Sequence, residues 1–339
     1  MILVTGGTGL VGAHLLYRLA SEDREIRAIY RTHSSLHKVL EVFTYYTTTE
    51  KAEHLFKKIE WLEADIIDIP QLFLVFPKIT EVYHCAALVS FSPRDYRKLR
   101  KVNIEGTANV VNLCIDFKVK KLCFVSSIAT LGKPISDKKM ITEQLNWNPE
   151  TNHSDYAITK YGAEMEVWRA SQEGIKTLIV NPGIIIGPGF WNKASGQLFT
   201  RIHHGLNYHF PKVTGFVGVN DVIDAMLKLM NSDNFNDRYI LVSENSSFKD
   251  VMKYTANSLE KPEPKKDLQK WMIATGWIFQ KIGSIFGFKR SITKSDINGL
   301  FATSYYDNSK IKSAINFNFT PIEDVIEETG HLFLKDNAK

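Results

Sequence analysis

The chain has 339 residues, of which 44% are hydrophobic and 23% are charged, and this length is sufficient for the buried core of one or two domains. The formal net charge is only +5 and the basic residues are scattered, which argues against a nucleic-acid partner. Three cysteines lie in apolar segments without metal-ligand spacing, which predicts reduced thiols, no metal site and a cytoplasmic location. Because the first predicted strand begins at Met1, we expect no signal peptide.

The N-terminus combines a short apolar strand, a glycine-rich turn and the start of a helix. Residues 1–5 predict the strand and residues 10–20 the helix, and this order is the setting that a dinucleotide-binding loop requires. The first two glycines allow a tight turn, Gly9 lets the backbone approach a pyrophosphate, and Gly12 lets the helix pack on the strand. The helix N-terminus offers free N–H groups to the phosphates. The predicted cofactor-binding residues of this turn are Thr5, Gly6, Gly7, Thr8, Gly9, Leu10, Val11 and Gly12.

The second predicted strand, residues 26–30, has no acidic residue at its end, where the adenine ribose would bind. An Asp or Glu there would bind the 2′-hydroxyl of NAD, whereas an arginine can bind the 2′-phosphate of NADP. Arg31 therefore favours NADP, with NAD as the alternative. An arginine that stacks on adenine or faces solvent would fit either cofactor.

Strands and helices continue to alternate along the chain. Further strands are expected near residues 59–64, 80–85, 121–125, 176–181 and 238–242, and further helices near residues 50–58, 98–117 and 154–173. This alternation predicts an α/β fold with a Rossmann-type, doubly wound parallel sheet. We expect residues 1–182 to form the dinucleotide-binding core, with 217–243 returning to it. A smaller, interleaved substrate-binding part is expected from residues 183–216 and 244–337.

Two serines end the fifth predicted strand, where ligands of an open α/β sheet gather. A hydroxyl at this place can hydrogen-bond a substrate carbonyl, and Ser127 is the predicted catalytic residue of the two. Ser126 is predicted to contact the cofactor. The alternative is that both serines only satisfy backbone groups at the strand end.

Tyr156 and Lys160 lie four residues apart in a predicted helix, so both side chains share one face. We expect the positive charge of the lysine to favour the ionised phenol and to lower the pKa of Tyr156. A tyrosine with such a pKa can act as an acid or base when proton and hydride transfer are coupled. The spacing alone is weak evidence, and its context makes it informative.

These motifs together resemble those of the extended (atypical) short-chain dehydrogenase/reductase family, which includes NAD(P)-dependent epimerases and dehydratases. The resemblance rests on Thr5-Gly6-x-x-Gly9-x-x-Gly12, on the Ser127 strand end and on Tyr156-x-x-x-Lys160. Further segments that agree with it are His84-Cys85-Ala86-Ala87, Val102-Asn103-Ile104-Glu105-Gly106-Thr107 and Asn181-Pro182-Gly183. The resemblance covers most of residues 1–243. One departure is Asn181, where relatives often carry arginine.

The resemblance implies an NAD(P)-dependent oxidoreductase. Tyr156 would protonate a carbonyl oxygen as hydride arrives, Lys160 would hold the nicotinamide ribose, and Ser127 would orient the carbonyl. Asp65 would accept a hydrogen bond from adenine, unless it is an ordinary loop aspartate. Asn103 would support the helix or a water chain, and a structural role fits it equally well. The further cofactor contacts implied by the resemblance are Ile66, Ala86, Ala87, Ser126, Pro182 and Gly183.

The substrate side is less well defined, and the nearest branches of the family are the dihydroflavonol-4-reductase-like and 3β-hydroxysteroid-dehydrogenase-like ones. Lys193, Arg201 and Lys212 show no cluster of the kind that a nucleotide-sugar diphosphate would need. We therefore expect reduction of a ketone or aldehyde, or oxidation of the alcohol. A nucleotide-sugar epimerase or dehydratase and a non-catalytic NADP-binding sensor remain alternatives. The aromatic residues Trp191, Phe199, Tyr208, Phe210 and Phe216 suit an apolar ligand or a core, and a core is favoured.

Residues 271–290 are apolar with basic flanks, but glycines and Gln280-Lys281 interrupt them. A transmembrane span requires about 20 nearly uninterrupted apolar residues, so none is expected. We expect a helix that covers the substrate cleft or forms a subunit contact, as in a homodimer, with peripheral membrane binding as the alternative. Further on, Thr320-Pro321 followed by acidic residues predicts the start of a last helix.

Overall fold

The computed structural model describes residues 1–132, 140–269, 271–272 and 300–338. Most of the apolar segment 271–290 lies outside the described residues, so its role as a cleft cover, subunit contact or membrane contact stays a prediction. None of the described helices is long and apolar enough to cross a membrane.

Strands and helices alternate through the described part of the chain. The strands are β1 Ile2–Thr5, β2 Ile26–Tyr30, β3 Glu60–Glu63, β4 Glu81–His84, β5 Lys121–Val125, β6 Lys176–Pro182, β7 Ile184–Ile186, β8 Tyr208–His209, β9 Val213–Gly218, β10 Asp237–Leu241, β11 Glu244–Ser247 and β12 Lys266–Asp267. The helices are α1 Leu10–Ser21, α2 Leu36–Thr44, α3 Thr49–Lys57, α4 Ile69–Val75, α5 Tyr96–Leu99, α6 Gly106–Asp116, α7 Asp155–Gln172, α8 Gly196–His203, α9 Val219–Met230, α10 Phe248–Ser258, α11 Ser309–Ile315 and α12 Ile322–Asn337.

Seven strands form one parallel sheet in the order β10-β6-β5-β4-β1-β2-β3, which confirms the predicted doubly wound fold. Central strands such as β1 are buried along their whole length, because helices cover both faces of a parallel sheet and apolar side chains are then favoured on both. The chain runs outward from β1 to β3 and starts again with β4 on the other side of β1. The topological switch point therefore lies between β1 and β4, which is where ligands of such sheets bind.

The predicted boundaries of the sheet strands and their helices agree with the structure to within two residues. One predicted helix, 98–117, differs in its interior. It consists of α5, a π-helical segment at Arg100–Glu105, and α6. A π-helical turn holds more residues than an α-helical turn and is frequent at functional sites, and this one carries Asn103.

A second layer is built around a three-stranded sheet in the order β11-β9-β7. Phe199 and Phe216 are buried in an apolar cluster of this layer, and Trp191 and Phe210 pack against it. The core interpretation is confirmed for these four aromatic residues, whereas Tyr208 is exposed. The last helix, α12, begins directly after Pro321, as predicted. Strand β10 joins the main sheet, and the division of the chain into two domains stays a prediction.

Candidate active site

The glycine-rich turn lies between β1 and α1 and is closed by backbone contacts. Gly6 has a φ of +69°, and a Cβ at this position would lie 2.5 Å from the backbone nitrogen of Ala86. A Cβ on Gly12 would lie 2.2 Å from the carbonyl oxygen of Gly6. By contrast, a Cβ on Gly9 would meet only that same oxygen, at 3.4 Å. The turn is thus packed on its inner side and open at Gly9, the residue before the N-terminus of α1, which suits a bound phosphate.

Two residues of the predicted loop point away from this opening. Thr5 is fully buried, and its hydroxyl oxygen lies 2.6 Å from Nδ1 of His84. The side chain of Val11 belongs to the hydrophobic core. Both side chains are used inside the protein, so a cofactor could contact these two residues through their backbone, and the predicted contacts stay predictions.

The residues predicted at the adenine end lie together where β2 and β3 end. Nη1 of Arg31 is 3.9 Å from Oδ2 of Asp65, and the Arg31 side chain is 65% exposed. Asp65 also accepts a hydrogen bond from the backbone of Ile67 through Oδ1. Ile66 is buried in the core, and its carbonyl accepts a hydrogen bond from Asn109. Arg31 and Asp65 are therefore available to a ligand, while the Ile66 side chain is not.

Asn103 is buried and holds the loop that follows β4. Its Oδ1 accepts from the backbone nitrogen of Leu88 at 2.7 Å, and its Nδ2 donates to the Leu88 carbonyl at 3.0 Å and to Thr159 on α7 at 3.2 Å. These contacts favour the structural alternative over direct cofactor contact, because the amide is occupied by protein groups. Ala86 is half-buried and Ala87 is exposed on the same loop, so both remain candidates for the ribose contact.

The three predicted catalytic side chains converge where β5 ends beside the start of α7. The Ser127 hydroxyl hydrogen-bonds the phenol oxygen of Tyr156 and also accepts from the backbone nitrogen of Ala129 at 3.2 Å. Lys160 is buried, and its Nζ donates to the carbonyl of Val125 at 2.8 Å. Ser154 caps α7 by accepting from the backbone of Ala157, which fixes the helix start one turn before Lys160.

The expected direction of the Tyr156 pKa is wrong in this structure. Burial raises the pKa of Tyr156 to about 12, and the hydrogen bond from Ser127 opposes this only in part. Burial also lowers the pKa of Lys160 to about 7, with Glu164 and Cys85 acting in the opposite direction. Loss of solvation disfavours the charged form of both groups, so the lysine is not the permanent cation that the helical spacing suggested.

A buried polar cluster that the sequence motifs did not indicate lies behind the serine. Oε1 of Glu164 accepts from Thr130 at 2.6 Å, from Asn181 at 2.7 Å and from the Ser126 hydroxyl. The Ser126 hydroxyl is therefore used inside the protein, and the predicted contact of Ser126 with the cofactor stays a prediction. Arg238 of β10 approaches Oε2 of Glu164 to 3.7 Å. One signal was present in the sequence, since Glu164 follows Lys160 by four residues on the same helix face.

The end of β6 packs against the second layer. Pro182 is buried, and the backbone nitrogen of Gly183 donates to the carbonyl of Leu241 at 3.0 Å. A Cβ on Gly183 would lie 2.4 Å from the carbonyl oxygen of Gly215. Close packing thus accounts for the glycine, and only half-buried Gly183 retains a surface that could face a cofactor.

Two exposed apolar side chains on the loop after β4, one of them close to Tyr156, were also missed from the sequence. Val89 and Phe91, on the loop after β4, are 53% and 61% exposed. The ring centroid of Phe91 lies 5.9 Å from that of Tyr156. Among the cations considered for a diphosphate, Lys193 and Arg201 are exposed, and Nζ of Lys212 lies 5.9 Å from the ring centroid of Phe248.

The chain is similar to proteins of known family. A family model described as NAD dependent epimerase/dehydratase family matches residues 2–241. The UDP-glucose 4-epimerase of Vibrio cholerae is 26% identical over 356 residues, covering 100% of this chain and 97% of that protein. The bifunctional dihydroflavonol 4-reductase/flavanone 4-reductase of Pyrus communis is 25% identical over 267 residues, covering 74% of each. A crystal structure of UDP-glucose 4-epimerase with UDP-glucose from Thermotoga maritima has a TM-score of 0.77 at 20% identity, over 99% of both chains, and so shares the fold.

Proposed function

Because this chain belongs to the NAD-dependent epimerase/dehydratase family, we propose that it is an NADP(H)-dependent oxidoreductase that reduces a ketone or aldehyde, or oxidises the corresponding alcohol. The observation that carries this proposal is the convergence of Ser127, Tyr156 and Lys160 at one sheet edge, next to an open glycine turn. Carbonyl reduction requires a hydroxyl to orient the carbonyl, a phenol to donate the proton and an ammonium to stabilise the resulting phenolate. Ser127, Tyr156 and Lys160 would supply these groups.

The residues fit a nicotinamide dinucleotide. The turn from Gly6 to Gly12 would hold the pyrophosphate, because its outer side at Gly9 is free of close contacts. Arg31, which is exposed beside Asp65, would bind the 2′-phosphate of NADP. Lys160 would hold the nicotinamide ribose. When bound, the cofactor supplies a hydride to the carbonyl carbon or accepts one from the alcohol carbon.

The protein's own part is to move and hold one proton. In the direction of reduction, the Tyr156 hydroxyl donates its proton to the carbonyl oxygen while Ser127 hydrogen-bonds the same oxygen. Since burial raises the pKa of Tyr156 to about 12, the phenol is protonated at neutral pH and is ready to act as the acid. The Lys160 ammonium then stabilises the phenolate that remains, which favours the transfer.

The exposed apolar residues beside Tyr156 favour a substrate with an apolar or aromatic group next to the carbonyl. Phe91 and Val89 offer such a group a surface on which to pack. The second candidate function, a nucleotide-sugar epimerase or dehydratase, is favoured by the full-length similarity to the Vibrio cholerae epimerase. It uses the same three side chains but returns the hydride to the substrate, so it consumes no NADPH.

The test is turnover of a panel of aromatic ketones, aliphatic ketones and nucleotide sugars with NADPH and with NADH. We expect net oxidation of NADPH by an aromatic ketone, and a loss of about 10²–10⁴-fold in kcat for Tyr156→Phe. Tyr161→Phe is the matched control, because Tyr161 lies on the same helix and stacks on Trp147 at 4.5 Å instead of facing Ser127.

Near-normal turnover by Tyr156→Phe would contradict the assignment of the acid. Conversion of a nucleotide sugar without NADPH consumption would support the epimerase. A protein that binds NADPH and turns over nothing in the panel would be a sensor.

A further inference from the structure

Glu164 is a carboxylate that is completely buried two turns after Tyr156 and one turn after Lys160 on α7. Its Oε1 collects three hydrogen bonds, from Ser126, Thr130 and Asn181. A fully buried carboxylate is rare in proteins because removing it from water is costly.

The three donors enclose the catalytic serine on both sides. Ser126 directly precedes Ser127, and Thr130 ends the short 3-10 helix that follows it. Asn181, from the neighbouring strand β6, donates to the Ser127 carbonyl at 3.1 Å as well as to Glu164. One carboxylate oxygen therefore joins the backbone turn of Ser127 to the helix that carries Tyr156 and Lys160.

The surroundings of the second carboxylate oxygen of Glu164 indicate that this side chain does more than fill space in the core. Oε2 is buried and has no hydrogen-bond partner, and the charged group nearest to it, Nη1 of Arg238, is 3.7 Å away. A buried acceptor without a hydrogen bond costs free energy, which the ion pair with Arg238 offsets in part. The charge of Glu164 thus faces Arg238 on one side and Lys160 on the other.

We propose that Glu164 is a positioning residue, which ties the Ser127 turn to α7 and places a negative charge one helical turn beyond Lys160. This inference rests on the proposed function in one respect, that Ser127, Tyr156 and Lys160 are the reacting groups.

Among the groups around Lys160, Glu164 is the one that supplies the negative charge near the ammonium. The lysine interacts with Glu164 on its own helix and with His84 and Cys85 at the end of β4. Burial lowers the pKa of His84 to about 3 and raises that of Cys85 to about 12, so both are uncharged at neutral pH. On the far side of Glu164, Arg238 is the cation that faces it from β10. Loss of the Glu164 charge should therefore lower the pKa of Lys160 further and deplete its ammonium form.

The first experiment needs no substrate. The cofactor-free full chain is labelled with ε-13C-lysine, the Lys160 signal is assigned through its loss in Lys160→Met, and its pH titration is followed by NMR. In Glu164→Gln, which keeps the size and one acceptor oxygen, we expect the pKa of Lys160 to fall by on the order of one unit. Glu166→Gln is the matched control, because Glu166 is on the same helix but pairs with Arg169 at 3.0 Å. An unchanged Lys160 titration in Glu164→Gln overturns the inference.

The second experiment uses turnover with the ketone that wild type reduces fastest. Above the pKa of Lys160, one unit of pKa lowers the protonated fraction about tenfold. We expect the alkaline limb of the kcat profile of Glu164→Gln, which is the fall of kcat at high pH, to move to lower pH by the same amount. Thr130→Val removes one donor to Glu164 without a charge change, and it should lower kcat at all pH values without moving the limb.

A Glu164→Gln protein with a lower Tm but with wild-type lysine titration and pH profile would show a purely structural role and overturn the inference. Failure of the proposed oxidoreductase function can be distinguished from failure of the proposed role of Glu164. If Tyr156→Phe retains activity, the proposed function fails, and the NMR titration still decides whether Glu164 sets the charge state of Lys160.

Discussion

The two ends of the proposed cofactor site, which would bind the phosphates and the nicotinamide, consist of different parts of the protein. The phosphate end is made of backbone, and its shape depends on the absence of side chains at Gly6, Gly9 and Gly12. The hydride end is made of side chains whose pKa values are shifted by loss of solvation and by neighbouring groups, as Tyr156 with Ser127 and Lys160 with Glu164 show. The comparison teaches that the glycines of a steric site lie close together in sequence, whereas the groups that set the charges of an electrostatic site come from distant parts of the chain.

The largest effect is expected when a glycine of the phosphate end is replaced by alanine. In Gly12→Ala the new Cβ would lie 2.2 Å from a backbone oxygen, and such overpacking costs about 1–3 kcal/mol. We expect a lower Tm and loss of NADPH binding. In Gly9→Ala the nearest atom would be at an ordinary 3.4 Å, so the Tm should stay near that of wild type while the Kd for NADPH rises by roughly tenfold or more.

Thermal unfolding and fluorescence titration with NADPH measure both quantities. Wild-type NADPH affinity in Gly9→Ala would mean that the phosphates bind elsewhere.

A smaller effect is expected at the substrate side of the hydride end. Removal of the Phe91 ring should lower kcat/KM for an aromatic ketone by roughly two- to tenfold, since an aromatic pair contributes about 0.5–1.5 kcal/mol. The same change should leave a short aliphatic ketone nearly unaffected. Phe73→Ala is the control, because Phe73 is similarly exposed but lies on α4 beside Phe117. Equal losses for both ketones in Phe91→Ala would show that the ring does not select the substrate.

The last expected effect is spread over several pH units and concerns the stability of the cofactor-free protein. Burial lowers the pKa of Lys160 from 10.5 to about 7, so between these values the unfolded chain binds the proton that the folded protein does not. The free energy of unfolding must then rise with pH, by at most about 1.4 kcal/mol per unit from this group. Below pH 7 and above pH 10.5 the contribution to the slope vanishes.

Urea unfolding of cofactor-free protein from pH 7 upwards measures this slope. It should be flatter in Lys160→Met than in Lys101→Met, which replaces an exposed lysine. Identical slopes in the two variants would show that Lys160 keeps an ordinary pKa.

Much of the fold and part of the site could be predicted, because the motifs that indicate them lie within short, contiguous segments of the chain. The strand, turn and helix at residues 1–20 are contiguous, and the spacing of Tyr156 and Lys160 is set by one helix. Central strands such as β1 were recognisable because both of their faces are buried and their residues are mostly apolar.

What could not be predicted depends on burial and on distant partners. The pKa of Tyr156 is raised because tertiary packing removes water, and helical spacing carries no information about that. The role of Asn103 depends on Leu88 and Thr159, which lie on two other segments. Glu164 was visible as a residue on the right helix face, but its partners come from β5, β6 and β10.

Arg238 makes the reacting end dependent on a late segment of the chain. Besides its approach to Glu164, its guanidinium donates to the carbonyls of Glu143 and Leu145. The support beneath Ser127 therefore depends on a residue of β10, the edge strand of the main sheet. A change at this edge strand can thus disturb the proposed reacting end without touching the glycine-rich turn.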